Sequence, residues 1–319
     1  MIRRLLFALL LLAPVAGVAG AAWLSFVDDE VDVPRVALGL DGRAEPAHAA
    51  QPGSAERRRA APVSAVSLAS VDAFHLPLRR PPRAGLVFDL ETGSVLWRRA
   101  PLTVLPIASL TKIMTALLVA ERTRPREPVR IPRHLRYSGS AVGVLPKGRR
   151  VRLETLLNGL LIVSGNDAAI TLATHVSGSE RRFVGLMNGR ARRWGLSCTH
   201  FASPHGLEDG NRSCARDLAV LARLAMRKPR IRRIASREQA DFRFPIKGGR
   251  LYMTGHNPLQ RLGYSGTLGL KTGYTDAAGR CFVGIARRFG HTLGVVLLNS
   301  RDPAKHAPKL LDAGFASLR

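Results

Sequence analysis

Hydrophobic and polar positions divide the chain beyond residue 84 into strand-like ends and a helical middle. Residues 86–90 and 94–97 are two short apolar runs that flank the turn Glu91-Thr-Gly93, which is the pattern of a β-hairpin. Near the other end, short apolar runs separated by turns that contain glycine predict strands at 268–274, 281–286 and 293–298. We therefore expect one antiparallel sheet built from both ends of this region.

Between these runs, apolar residues recur at helical spacing. Residues 109–122 predict a buried helix with Ser109 in its first turn, and residues 153–176 predict two helices joined at the polar turn Ser164-Gly-Asn166. Further helices are predicted at 183–194 and 215–226. The fold class is α/β of the α+β type, with an antiparallel sheet flanked by helices and a mostly helical subdomain.

The N-terminal region has the pattern of a targeting segment. Arg3 and Arg4 precede an almost uninterrupted apolar run at 5–26, with small residues at 19–21. Residues 1–27 are therefore a signal peptide or an N-terminal membrane anchor, and both interpretations stay open. Either one predicts an exported protein, periplasmic or otherwise extracytoplasmic, tethered to the inner membrane if the segment is retained. Residues 28–83 are predicted to be a disordered linker rich in Ala, Pro and Arg, and 84–319 the folded domain.

The net charge of +26 comes almost entirely from the predicted domain, because residues 85–319 carry 39 basic and only 15 acidic side chains. Such a surface attracts anionic wall polymers, anionic membranes or nucleic acid. Export and the absence of a nucleic-acid-binding motif argue against nucleic acid as a partner. However, 42 of the 49 basic residues are arginine, a bias that genomic base composition alone can produce. The functional and compositional interpretations of the charge both remain open.

The three cysteines lack the close paired spacing of a structural zinc site, and we expect neither a metal nor a cofactor. Cys198 and Cys214 bracket a polar loop and would meet an oxidising compartment after export. A disulfide between them is one interpretation, and two unpaired core residues are the favoured one. Cys281 lies in an apolar run and is predicted to be a buried thiol.

Three short motifs carry the candidate chemistry: Ser109-Leu-Thr-Lys112, Ser164-Gly-Asn166 and Lys271-Thr-Gly273. Residues i and i+3 of a helix share a face, so the amine of Lys112 can lie beside the hydroxyl of Ser109. A neutral lysine can take the proton of a serine nucleophile. Burial and the charge of Lys271 would both lower the pKa of Lys112.

The other motif residues are predicted to hold substrate. The Ser164 hydroxyl would relay the proton toward the leaving amine, and Asn166 would align the substrate backbone. Lys271 and Thr272 offer a cation and a hydroxyl to a terminal carboxylate. Two further assignments complete the site: Gly273 would let the substrate backbone approach, and the backbone of Tyr274 would join that of Ser109 in an oxyanion hole.

Longer stretches around these motifs resemble one family. Residues 107–116, 163–169, 204–207 and 269–279 resemble the low-molecular-mass penicillin-binding proteins, the D-alanyl-D-alanine carboxypeptidases of peptidase family S11. The resemblance covers about residues 84–300. It implies the β-lactamase/transpeptidase-like fold, a serine D,D-peptidase domain over 84–319, peptidoglycan stem peptides as substrates and an acyl-enzyme on Ser109. It also implies covalent inhibition by β-lactams.

Two alternatives to a carboxypeptidase remain. Many family members continue into a C-terminal β domain, whereas this chain ends about 20 residues after its last predicted strand. Shorter members of that kind include D,D-endopeptidases, which cut peptidoglycan crosslinks. The second alternative is a wall-associated penicillin-binding module with little activity, although the intact motifs argue against it.

Overall fold

The fold is organised around a sheet that joins the two ends of the predicted domain. The computed structural model describes residues 66–143 and 145–319. In chain order the strands are β1 Ala84–Asp89, β2 Val95–Arg99, β3 Leu105–Pro106, β4 Pro128–Arg130, β5 Arg150–Arg152, β6 Arg212–Ser213, β7 Gln239–Arg243, β8 Arg250–Thr254, β9 Thr267–Thr275, β10 Gly279–Arg288 and β11 His291–Leu298. Five of them form one sheet in the order β2-β1-β11-β10-β9, and its neighbouring strands are antiparallel.

This sheet confirms the predicted closure by distant segments. β1 pairs with β11 so that Leu86 lies opposite Val296, more than 200 positions away in sequence. The predicted hairpin is β1 and β2, and the predicted C-terminal strands are β9, β10 and β11. The remaining strands of the described part of the chain form three two-stranded sheets, β3-β6, β4-β5 and β7-β8.

Helices cover both faces of the sheet. They are α1 Lys112–Arg122, α2 Leu153–Leu161, α3 Asn166–Ser177, α4 Glu180–Arg193, α5 Ala215–Met226, α6 Pro229–Ala235, α7 Pro258–Arg261 and α8 Pro303–Ala316. Alternate strand residues face opposite sides, so Leu86 and Phe88 enter a large core cluster with α1, α2, α3 and α5. Val87 enters the other cluster, which α8 covers. The mixed fold class is confirmed.

The C-terminal helix α8 was not predicted. Its buried residues Ala307, Leu310, Leu311 and Phe315 recur at helical spacing, and they pack against the outer face of the sheet. Pro303 at its first turn and the Asp302 carboxylate, which accepts from the backbone N–H of Lys305, mark its start. The sequence signal for this helix was therefore present beyond the last strand.

The prediction of a disordered linker over 28–83 is wrong for residues 66–83, because these residues contact the sheet. The Asp72 carboxylate forms an ion pair with Arg98 at 2.6 Å, and the backbone N–H of Ala73 donates to the carbonyl of Leu96. Phe74, Leu76 and Leu78 pack against the α8 cluster. These contacts extend the folded region before residue 84. The predicted targeting segment, 1–27, and linker residues 28–65 lie outside the described residues.

The cysteines correct one expectation and confirm another. Cys198 and Cys214 form a disulfide with a Cα–Cα distance of 5.5 Å, so the favoured interpretation of two unpaired residues was wrong. The bond ties the segment after α4 to the start of α5. Cys281 is buried, as predicted, and burial raises the pKa of its thiol to about 11. Within the described residues, no helix is both long enough and apolar enough to cross a bilayer.

We expect the double substitution Cys198→Ser and Cys214→Ser to lower the free energy of unfolding by about 3 kcal/mol, the value that loop-closure entropy gives for a short loop of this kind. Urea unfolding of the oxidised protein measures the loss. The double variant should also become insensitive to reductant. Equal stability of the wild type with and without reductant would contradict a structural role for the bond.

Candidate active site

Ser109 and Lys112 lie where a single 3-10 turn, Ala108–Thr111, leads into α1. The predicted helix thus begins with a tighter turn, and Ala108 has a φ of +47°. The turn packs against Gly206, where a Cβ atom would lie only 2.0 Å from the carbonyl oxygen of Ala108. Gly206 has a φ of +90°, so both sterics and backbone conformation require glycine there.

The amine of Lys112 is fully buried and has three acceptors from separate parts of the chain. Its Nζ atom donates to Ser109 Oγ at 2.9 Å, to Asn166 Oδ1 at 2.6 Å and to the carbonyl oxygen of His205 at 2.6 Å. The predicted proximity of serine hydroxyl and lysine amine is therefore present. The amine also joins the start of α1 to the start of α3 and to the loop before β6.

Two buried lysines share this region, and their pKa values are depressed. Burial lowers the pKa of Lys112 well below its usual range, and the nearby charge of Lys271 lowers it further. Asp167 and Glu208 act in the opposite direction. Burial lowers the pKa of Lys271 to about 7. These are the two causes that the sequence predicted for Lys112, and they favour the neutral amine that can accept a proton.

The polar turn between α2 and α3 supplies Ser164 and Asn166. Ser164 has a φ of +63°, an unusual conformation for serine, and its side chain is almost fully buried. The amide of Asn166 donates to the carbonyl oxygen of Ser138, and its backbone N–H donates to that of Ser140, both at 2.7 Å. The loop between β4 and β5 therefore orients Asn166 toward Lys112.

Strand β9 supplies the third motif at the edge of the sheet. The Nζ atom of Lys271 donates to the carbonyl oxygen of Thr272 at 2.9 Å. A Cβ atom on Gly273 would lie 3.0 Å from the backbone nitrogen of Ser109, so this glycine lets the 3-10 turn approach the strand. The approach of a substrate backbone to Gly273 stays a prediction. The side chain of Tyr274 is exposed and donates to Asp276.

A cavity of about 650 Å³ brings the motifs together. Its lining includes Ser109, Ser164, Thr272, Gly273 and Tyr274. Lys112 and Asn166 are hydrogen-bonded behind Ser109, and Lys271 is close enough to Lys112 to depress its pKa. The structure thus assembles all eight residues predicted for the site.

The cavity has a basic wall that the sequence interpretation missed. Arg280 and Arg301 line it, and the guanidinium of Arg280 donates to the carbonyl oxygen of Arg301 at 2.8 Å. His256 also lines it, and burial together with Arg261 lowers the pKa of its imidazole. Such a wall favours a substrate that carries a carboxylate.

The loop from Ser203 to Asn211 contacts the candidate site in a way that the sequence motifs did not predict. Two of its carbonyls face α1: that of Pro204 accepts from Thr115 Oγ1 at 2.7 Å, and that of His205 accepts from Lys112. The buried side chain of Asn211 accepts from the backbone N–H groups of Ala202 and Ser203 and donates to Ser203 Oγ. The contact of His205 with Lys112 is thus made by its backbone and not by its side chain.

A serine hydroxyl hydrogen-bonded to a buried lysine, facing a cavity at a sheet edge, is the arrangement of a serine acyl-transfer enzyme. Comparison with known families agrees with this class. The family model described as D-alanyl-D-alanine carboxypeptidase, Peptidase_S11, matches residues 81–302. The chain belongs to this family.

Individual relatives support the same assignment. The chain is 31% identical over 249 residues to D-alanyl-D-alanine carboxypeptidase DacF of Bacillus subtilis, covering 73% of this chain and 62% of DacF. It is 33% identical over 230 residues to a D-alanyl-D-alanine endopeptidase of Pseudomonas aeruginosa, covering 69% of this chain and 72% of that one. A crystal structure of a D-alanyl-D-alanine carboxypeptidase from Mycobacterium tuberculosis superposes with a TM-score of 0.70 at 34% identity, covering 77% and 96% of the two chains.

We expect Lys271→Met to stabilise the protein below pH 7 and to lose that advantage as the pH rises. A buried lysine with a folded-state pKa of about 7 binds fewer protons than it does in the unfolded chain between about pH 7 and its usual pKa. The stability of the wild type therefore rises with pH across this window, as the cost of burying a charged Lys271 disappears. The methionine variant has no such pH dependence at this position. Urea unfolding at pH 6 and pH 9 measures the difference.

The exposed Lys309→Met variant is the matched control for removing one lysine, and it should track the wild type at both pH values. A stability difference between wild type and Lys271→Met that is the same at pH 6 and pH 9 would contradict the depressed pKa of Lys271.

Proposed function

We propose that the chain is a serine-type D-Ala-D-Ala carboxypeptidase that removes the terminal D-alanine of peptidoglycan stem peptides through an acyl-enzyme on Ser109. The observation that carries the proposal is the 2.9 Å hydrogen bond between Lys112 Nζ and Ser109 Oγ in a buried environment that lowers the pKa of the lysine. A neutral amine at this distance can accept the hydroxyl proton directly.

In the first half-reaction, Lys112 takes the proton as Ser109 Oγ attacks the carbonyl carbon of the penultimate D-alanine. The peptide bond breaks, and D-alanine leaves with its amine protonated through Ser164. In the second half-reaction, water attacks the ester carbonyl and restores the Ser109 hydroxyl. Backbone N–H groups of Ser109 and Tyr274 would stabilise the oxyanion, and each such donor is typically worth about 3 kcal/mol of barrier.

The remaining residues hold the substrate in this proposal. Asn166 aligns the peptide backbone with the same amide whose oxygen accepts from Lys112. Lys271 and Thr272 bind the terminal carboxylate, and Gly273 leaves room on the strand edge. A bound carboxylate would favour the charged form of Lys271 and so offset the cost of burying it. β-Lactams, whose acyl group reacts like the peptide carbonyl, would acylate the same serine.

The proposal requires neither a metal nor a cofactor. Within the described residues, one cluster has side chains close enough to share a metal ion, namely Cys198, Cys214 and Asp217. Both sulfurs of that cluster are joined in the disulfide, and the Asp217 carboxylate pairs with Arg216. The disulfide supports an extracytoplasmic, oxidising location. The basic surface supports anionic wall or membrane polymers as further partners, and an extracytoplasmic location argues against nucleic acid.

A second candidate is a D,D-endopeptidase that cuts peptidoglycan crosslinks. It is favoured by the similarity to a relative described as a D-alanyl-D-alanine endopeptidase, of which the alignment covers 72%. The chemistry at Ser109 would be the same. The two activities differ in the leaving group, which is free D-alanine in one case and a second stem peptide in the other.

We expect the purified protein to release D-alanine from a stem pentapeptide and to acquire a covalent fluorescent penicillin label at Ser109. Ser109→Ala should reduce turnover by at least ~10³-fold, because removing a serine nucleophile leaves only binding and electrostatic effects, and should abolish the label. The exposed Ser236→Ala variant should retain both activities. Cleavage of crosslinked dimers without pentapeptide hydrolysis would select the endopeptidase, and labelling without turnover would leave a binding module.

Asn211→Ala tests whether the loop positions Lys112. The substitution leaves the backbone N–H groups of Ala202 and Ser203 without their buried acceptor, at a cost of about 1–3 kcal/mol. We expect slower acylation by penicillin at temperatures where the variant is still fully folded, because the His205 carbonyl moves relative to Lys112. Stopped-flow acylation and urea unfolding separate the two effects. Wild-type acylation in a folded but destabilised variant would contradict the positioning role.

A further inference from the structure

One segment of the chain carries basic side chains with no acidic residue among them. Between Glu127 and Glu154 the chain has seven basic residues and none of the fifteen acidic residues of 85–319. We call these seven side chains the basic ribbon, and all of them are exposed: Arg130, Arg133, Arg136, Lys147, Arg149, Arg150 and Arg152. Genomic base composition can favour arginine over lysine, but it does not explain the exclusion of acidic residues from one segment.

The short β4-β5 sheet arranges part of the basic ribbon at some cost in stability. Arg130 and Arg150 are direct cross-strand partners, and Arg152 follows two residues later on the same face. Val129 and Val151, between them, are buried. Like charges placed directly opposite each other in an antiparallel pair are destabilising. Packing explains the valines, whereas it gives no reason for three outward arginines.

The acidic residues that flank the ribbon are already engaged elsewhere. Glu127 bonds to His175 at 2.7 Å, and Glu154 pairs with Arg230 at 2.7 Å. Among the described residues, no acidic side chain lies within ion-pair distance of any of the seven. The seven side chains of the ribbon are therefore exposed and form no ion pair within the part of the chain that the structure describes, and Arg136 shares a cavity with Glu180 and Glu208.

The ribbon adjoins the candidate active site. The loop between β4 and β5 carries Arg133, Arg136 and Lys147, and the same loop holds Asn166 through the carbonyls of Ser138 and Ser140. Arg136 also lines a second cavity, of about 480 Å³, together with Asn166. A ligand along the ribbon would therefore lie beside the opening through which a substrate reaches Ser109.

The composition of the ribbon favours phosphate groups on a linear polymer. Six of its seven members are arginine, whose planar guanidinium binds phosphate in a bidentate manner. Arg150 and Arg152 are successive outward residues of β5 and are therefore about 7 Å apart, and Arg130 lies opposite Arg150 on β4. The large aliphatic side chains described in this segment are buried, so none of them is available to insert into a membrane, whereas Tyr137 is exposed. The buried residues are Val129, Ile131, Leu135, Val142, Leu145, Val151 and Leu153.

We propose that the basic ribbon is a docking surface for a linear, phosphate-bearing polymer of the cell-wall compartment, which holds the enzyme beside its peptide substrate. The binding rests on the ribbon alone, and only its benefit to wall cleavage rests on the proposed function. Each arginine–phosphate contact releases counterions, so the interaction weakens steeply with salt.

The test uses the full chain and long-chain linear inorganic polyphosphate as the probe, with binding measured across a series of salt concentrations. The ribbon variant combines Arg130→Gln, Arg150→Gln and Arg152→Gln. Its matched control combines Arg79→Gln, Arg80→Gln and Arg83→Gln, which removes the same charge from exposed positions on the segment before β1. Binding to poly-L-glutamate tests whether a carboxylate polymer is preferred, and binding to vesicles of phosphatidylglycerol with phosphatidylcholine tests whether an anionic membrane is preferred.

We expect the ribbon variant to lose at least about tenfold in polyphosphate affinity and its log–log salt slope to fall by about two, given ~0.7 per contact on a single-stranded polyanion. The control should stay within about twofold of wild type, and all variants should still take the penicillin label. No polyphosphate binding by the wild type, equal losses in both variants, or a preference for vesicles or polyglutamate would overturn the proposal. Loss of the label in the wild type would refute the proposed function and leave the ribbon's binding intact.

Discussion

The buried amine of Lys112 is the interaction on which the site depends. An amine removed from water needs acceptors, and those of Lys112 come from Ser109 on the same helical turn, Asn166 at the start of α3 and the backbone of His205. No two of these segments are consecutive in sequence. The helical subdomain must therefore be fully assembled before the lysine is satisfied, and the same assembly points its nitrogen at the serine hydroxyl. Folding and the contact between Lys112 and Ser109 thus use one set of hydrogen bonds.

A second constraint is the closeness of Lys112 and Lys271. Two buried cations repel each other, and burial makes each one easier to deprotonate, so the pair favours at least one neutral amine. The sheet edge can come this near because Gly273 has no side chain to collide with the 3-10 turn, and Gly206 admits the same turn from the other side. A substrate carboxylate would supply the missing anion at Lys271. The arrangement therefore couples the charge of the substrate to the protonation of the site.

Most of the fold, and the proximity of the eight candidate site residues, could be predicted from sequence, because strands, helices and motif side chains leave periodic or compositional signals. The parts of the structure that were not predicted leave no such signal in the sequence, or only a weak one. The acceptor at His205 is a backbone carbonyl, which every residue possesses, and residues 66–83 dock through irregular contacts such as that of Asp72 with Arg98. Helix α8 did have a period, in Leu310, Leu311 and their neighbours, but it followed the last motif. Pairing of Cys198 with Cys214 depends on a distance that spacing cannot give.

The loop between β4 and β5 links surface charge to the catalytic centre. One side of it presents exposed Arg133 and Arg136, and the other side gives the carbonyls that hold Asn166 in contact with Lys112. Mutual repulsion among the ribbon's side chains favours separation of β4 from β5, whereas Val129 and Val151 hold them together. An anion bound along the ribbon would reduce that repulsion. Because a ligand stabilises a conformation only by binding it more tightly, the proposed polymer would favour the arrangement of the loop in which Asn166 is held.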